Sequence, residues 1–260
     1  MAFSFNATRS RSVWQGFSTQ WWSGTPLSLF DNDEYASALK HSLELAAWTT
    51  VLATALGTVL ALAVTRMRGV SKHPVNFILM IPIVTPELIL AVGLYLSLTF
   101  ITAWPFTLVH LGTAAQVVGQ VTYTVGFVVV VIRGRLGVLG EGLEAAARDL
   151  GAGPVAALVF VLLRLLMPAV LVGAMISFAF SIDNFVITEY LASDSSTVSI
   201  PMYLYANARG GNTTPALNAL ATILVVMTLA VVALAGLLYR CATRRETGSS
   251  DISSTVALGA

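Results

Sequence analysis

Five apolar runs, His41 to Val64, Val75 to Phe100, Thr113 to Ile132, Leu158 to Ile182 and Ala216 to Tyr239, constrain this chain more than any other feature. Each is long enough to cross roughly 30 Å of hydrocarbon as a helix. With 56% hydrophobic and 10% charged residues and a mean hydropathy of +0.80, the expected class is an all-α polytopic membrane helix bundle with five spans. The chain divides into an N-terminal segment 1–40, a transmembrane domain 41–245, and a polar tail 246–260 that reads as disordered.

Basic residues orient the bundle. Arg66, Arg68 and Lys72 follow the first run, Arg133, Arg135 and Arg148 the third, and Arg240, Arg244 and Arg245 the fifth. Those ends are expected in the cytoplasm and the opposite loops outside. The N-terminus is then external, as an unanchored tail, and the C-terminus cytoplasmic. Trp21, Trp22 and Phe30 fit either the membrane interface or packing on the external face. The lone cysteine, Cys241, excludes an intramolecular disulfide and a cysteine-based metal site. A formal net charge of +1 gives no sign of a nucleic-acid surface, and no metal site is expected.

Between the third and fourth runs lies Glu144-Ala-Ala-Ala-Arg-Asp-Leu-Gly151-Ala-Gly-Pro154. Residues Glu141 to Asp149 can form about two and a half helical turns, with Gly151 as the stop and Pro154 opening the next helix. Alanines 145, 146 and 147 keep one side thin enough for another protein to approach, while Glu144, Arg148 and Asp149 offer polar contacts. This hairpin, about residues 139–155, reads as a cytoplasmic docking element; an ordinary interhelical loop is the other reading.

The segment resembles the cytoplasmic EAA loop of ATP-binding-cassette importer permeases. The likeness continues through Leu-Met-Pro168, Ser181-Ile-Asp-Asn-Phe-Val-Ile187, Ile200-Pro-Met-Tyr203-Leu-Tyr205 and Leu217-Asn-Ala-Leu-Ala-Thr222, and is greatest for the spermidine/putrescine type. Two departures stand out. The family's glutamate falls at Ala145, so that Glu144 is one place early and turned by about 100°. A family proline falls at Arg164. The resemblance implies a type I importer fold, usually of six spans, so either a first helix precedes Met1 or this permease has five. It also implies a second, similar permease subunit, two ATPase subunits that bind ATP and magnesium, an external substrate-binding protein, and an inner-membrane location. Glu144, Ala145, Ala146, Ala147, Asp149 and Gly151 would couple to the ATPase. No GxxxxGK[ST] phosphate loop occurs, so no cofactor is expected in this chain, which is not an enzyme.

Ionisable groups in apolar spans are costly unless they face a polar cavity or a partner. Asp183 and Asn184, at the external end of the fourth run, coincide with the family's acidic pair and read either as a substrate path or as a helix cap. Glu87 follows Pro82 and Pro86, which should interrupt the helix ladder; it lines a cavity or marks a packing kink. Similar permeases often carry a proline-glutamate pair here. Arg164 can snorkel to the cytoplasmic headgroups, and Glu44 can pair with Lys40. Outside, Glu189, Tyr190, Asp194 and the run Ile200 to Tyr205 suggest a short helix with acids and aromatics nearby, Glu189 joining Glu87, Asp183 and Asn184 in the expected substrate path and Tyr203 and Tyr205 forming the expected external gate; the combination suits a linear polycation, although tyrosines are common near membrane surfaces.

The expected function is therefore a permease subunit of an importer for polyamines, spermidine or putrescine. The same class importing iron, phosphonate, sulfate or a sugar is an alternative. An ion-coupled secondary transporter using Glu87 and Asp183 is another, opposed by the lack of a visible inverted repeat. A membrane protease lacks both HExxH and GxSxG.

Overall fold

The computed structural model describes residues 2–8, 13–26, 28–67, 72–102, 109–140, 142–210 and 215–257. Arg68 and Glu141 lie outside these. The helices are α1 (Asp33–Arg66), α2 (Lys72–Val84), α3 (Glu87–Thr102), α4 (Thr113–Leu139), α5 (Gly142–Asp149), α6 (Pro154–Ala156), α7 (Leu163–Ile182), α8 (Val186–Leu191), α9 (Ile200–Arg209) and α10 (Pro215–Ala257). A π-helical segment, Ala157–Leu162, joins α6 to α7.

Helices α1, α4 and α7 pack together at the centre, with α10 against α7 and α2 against α4. Small residues set their closeness. Val128 of α4 lies between Gly57 of α1 and Gly173 of α7; a Cβ on Gly57 would lie 2.6 Å from the Val128 side chain. A Cβ on Gly119 would meet Ile187 and Leu191 of α8, and one on Gly126 the Leu79 carbonyl of α2. Gly57→Leu should therefore force α1 away from α4 and destabilise the protein by about 1–3 kcal/mol, read as a lower thermal midpoint of the detergent-purified chain. An unchanged midpoint would mean that the contact yields freely.

Among the described residues, four helices are long and apolar enough to cross a membrane, or five if the bent pair α2–α3 is one span. The second run is not one straight helix. It breaks between Val84 and Glu87 with a 108° bend. Pro86 brings no N–H to the ladder and pushes Thr85 out of helical geometry. The Thr85 hydroxyl bonds the Ile81 carbonyl at 2.7 Å, and α3 starts afresh with Ile89 and Leu90 donating to the Pro86 carbonyl.

The N-terminal segment is folded onto the bundle, which favours packing over the membrane interface for Trp21 and Trp22. A 3-10 turn, Ala2–Phe5, packs against α10. Phe5 stacks between Phe17 and Trp22, and the Trp21 indole N–H donates to the Asn6 carbonyl at 2.7 Å. Trp21 is buried with Leu29, Tyr35, Ile200 and Leu217, so the apolar area of the tail's own aromatics fastens it. Helix α1 begins before its apolar run, because Asn32 accepts from the Glu34 N–H and Asp33 and Glu34 favour the first turn. At the other terminus, α10 continues to Ala257, over residues that composition reads as a disordered tail. A helix already nucleated extends at propagation cost only, even through poor helix formers.

Candidate functional site

The break between α2 and α3 faces the break between α7 and α8. Asn184, buried in the second break, accepts at Oδ1 from the backbone N–H of Ile187 (3.1 Å) and of Thr188 (3.3 Å), which caps α8. Its Nδ2 donates to Glu87 Oε1 at 2.6 Å. One side chain thus accepts from two amides and donates to a carboxylate, a combination that an amide can make and an ionised aspartate cannot. Asp183, next to it, is exposed at the end of α7. The cap belongs to Asn184, which leaves the Asp183 carboxylate facing outward. On the same side, Tyr123 and Phe127 of α4 and Phe180 of α7 form a ring cluster with centroids 4.8–6.0 Å apart. Phe180, three residues before Asp183, remains 37% exposed, and Tyr123 lies within electrostatic reach of Glu87 as Glu87 does of Asp183, so the rings form an apolar, aromatic wall edged with two carboxylates.

Behind this wall runs a buried polar seam. Gln120 donates to the Thr188 hydroxyl (3.0 Å) and accepts from Thr49 (3.0 Å) and from Ser181. Gln116 is bonded to His41 (2.9 Å) and donates to the carbonyls of Thr188 and Thr197, both at 2.9 Å. The seam ties α1, α4, α7 and α8 together at the end that charge bias assigns outside. Sequence reasoning missed it, along with the three rings. The available signal was the pair Gln116 and Gln120, four residues apart and so on one face of an otherwise apolar helix.

The expected gate residues Tyr203 and Tyr205 are brought to α1 and to the start of α8. Tyr203 of α9 donates to Glu34 Oε2 at 2.8 Å and meets Tyr35 edge to face at 5.3 Å. Burial, and then the bond to the Glu34 carboxylate, push its hydroxyl above the ordinary tyrosine range, so it stays a proton donor. Tyr205 packs on Phe185, centroids 4.5 Å apart. Glu189 is exposed on α8 and does not join the Glu87–Asn184 pair.

At the opposite end, α5 stops in a Schellman turn. Gly151 adopts φ +89°, its N–H meets the Arg148 carbonyl at 2.9 Å, and the Ala152 N–H meets the Ala147 carbonyl at 3.0 Å. Ala145, Ala146 and Asp149 are exposed, and Leu150 projects with 90% of its surface free. Two residues of the expected coupling set face elsewhere. Ala147 is buried, packed inward as a small residue on the inner face of α5, and Glu144 is paired with Arg66 of α1 and with Arg148, 3.5 Å away. The one-place shift of this glutamate accounts for the second: a turn of about 100° carries it towards α1. Among the described residues, no group of three His, Cys, Asp or Glu side chains comes together to hold a metal.

Residues 53–247 match the family model described as binding-protein-dependent transport system inner membrane component. The chain belongs to that family. Among similar curated proteins, the spermidine/putrescine transport system permease protein PotC of Escherichia coli (strain K12) is 33% identical over 245 residues, covering 94% of this chain and 88% of that protein. The putrescine transport system permease protein PotI of the same strain is 32% identical over 227 residues, covering 86% and 78%. Solved structures share the fold of this inner membrane component at lower identity. A bacterial importer of the acidic polysaccharide alginate matches with a TM-score of 0.68 at 16% identity, covering 82% of this chain and 81% of that one. The methionine transporter MetNI matches at 0.65 and 18%, covering 80% and 95%. The type I importer permease fold expected of this transport component is thus the one observed. Its break-centred site and its α5 hairpin lie at opposite ends of the same bundle.

Proposed function

We propose that this chain forms half of the translocation path of an ATP-driven importer for polyamines, working with a second permease subunit, two ATPase subunits and an external substrate-binding protein. The observation that carries the reading is the wall formed by Glu87, Asp183 and the rings of Tyr123, Phe127 and Phe180. A linear polyamine has charged ammonium groups separated by apolar methylene runs. Carboxylates take the former, and aromatic faces take both, through apolar contact and cation–π attraction. The names of PotC and PotI support that substrate class.

The broken helices explain how such a wall can be polar at membrane depth. Backbone groups freed at Pro86 and at Asn184 are tolerated where a cavity or a partner satisfies them. The second permease supplies the other wall. The exposed face of α5, Ala145, Ala146, Asp149 and Leu150, meets the ATPase, which closes on ATP and moves the hairpin. With the basic ends inside, the gate helix α9 lies outside, where the binding protein delivers its load.

Uptake of labelled spermidine and putrescine in cells lacking this gene tests the substrate class. Restored uptake on return of the wild-type gene supports it. Unchanged uptake, in cells with no second polyamine importer, sends the assignment to another solute.

A further inference from the structure

We infer that Arg66 is a positioning residue for transport: through its ion pair with Glu144 it fastens the docking helix α5 to α1, and α1 carries the movement of α5 to the gate helix α9. This rests on α5 being the element that docks the ATPase. Besides the joint back to α4 at Gly140, a glycine at φ +74°, two routes lead from α5 to the opposite end of the bundle, and their stiffness differs.

The route along the chain is compliant. Helix α5 turns at Gly151, and α6 runs into the π-helical Ala157–Leu162, closed by the wide-ring bond from the Leu163 N–H to the Leu158 carbonyl. Pro168 then interrupts α7. It offers no N–H to the carbonyl four residues back, that of Arg164. Such irregular turns are where helices bend and change register. Displacement of α5 is absorbed there.

The route through α1 is stiff. This helix is 34 residues long, contains no proline, and spans about 51 Å at 1.5 Å per residue. It is gripped along its length by α4 and α7. Arg66 is its last residue and holds the Glu144 carboxylate. At its other end, the Ser42 hydroxyl accepts from the Ile200 N–H at 2.8 Å, the bond that opens α9, and Glu34 accepts from Tyr203. Each end of α1 is therefore bonded to one of the two elements that must move together. The departure of Glu144 from the family spacing makes the first of these bonds possible.

A half-exposed ion pair contributes little to folding, so its loss leaves the protein intact. Glu144→Gln and Arg66→Gln should each keep the membrane level, co-purification of the ATPase and the KM for uptake, with ATP hydrolysis continuing. Maximal uptake should fall about fivefold. Arg66→Lys, which keeps the charge pair, should hold at least about half the wild-type rate. Ser42→Ala should give the same uncoupling, and Glu144→Gln/Ser42→Ala should fall no further than the worse single variant, because links in series are not additive. Wild-type uptake in Glu144→Gln, equal loss in Arg66→Lys and Arg66→Gln, or additive losses in the double variant would overturn the inference. Loss of ATPase co-purification in Glu144→Gln would also overturn it, by making Glu144 a docking contact. ATPase binding and coupled uptake unaffected by bulk at Ala146 would instead remove the docking reading beneath it.

Discussion

Asp183→Asn lowers polyamine uptake by about tenfold or more while the assembly stays intact. Such a factor is roughly 1.4 kcal/mol, the scale of one partly desolvated ion pair. The change removes a charge and almost no volume. The local structure is insulated from it, because Asn184 forms the cap of α8 and the contact to Glu87, while Asp183 lies exposed at the end of α7. Electrostatics predicts which kinetic parameter moves. A carboxylate that meets the ammonium group in the path changes passage of the cation, not the binding protein's capture of it. Uptake velocity, membrane level and ATPase co-purification measured together check this, and normal uptake by the variant rejects a path role for Asp183.

The second large effect lies at the other end. Ala146→Trp blocks close approach of the ATPase, so co-purification of the ATPase and uptake both fall, by about tenfold or more. Ala146 is exposed on α5, so the added ring projects from the surface of the described residues and the membrane level holds. Ala147→Trp separates surface from core: that alanine is buried, and a ring there disturbs the hairpin's own packing and lowers the protein level. Retained ATPase binding and uptake in Ala146→Trp would mean that the partner docks elsewhere.

The spans were legible because hydrophobic length has one physical meaning in a bilayer. The Gly151 stop and Pro154 start were legible because few residues can serve there, and the interruption expected from Pro82 and Pro86 occurs at Pro86 alone, as a 108° turn, with Pro82 inside α2. The direction of Glu144 required its partner: spacing gave the rotation, but Arg66 is distant in sequence and entered only as a topology signal. The sequence leaves the N-terminal segment between the membrane interface and packing on the external face for a similar reason. Its aromatics are short-range noise until Tyr35, Ile200 and Leu217 supply a surface to cover. The ring cluster of Tyr123, Phe127 and Phe180 draws on two helices, α4 and α7, and aromatic residues in apolar spans carry no positional signal by themselves. Glu189 and Tyr205, singled out for residue type, lie apart from the Glu87–Asn184 contact because α8 and α9 present them to other surfaces.

Transport by the purified assembly in sealed vesicles separates ATP-driven polyamine import from every rival reading. The vesicles would contain this chain, its partner permease and the ATPase, with the external binding protein and labelled spermidine added on the opposite side from ATP. Spermidine should accumulate only with ATP and this chain, and less with Asp183→Asn. ATP hydrolysis stimulated by the loaded binding protein without any spermidine movement, or spermidine movement driven by an ion gradient in vesicles without the ATPase, would contradict it.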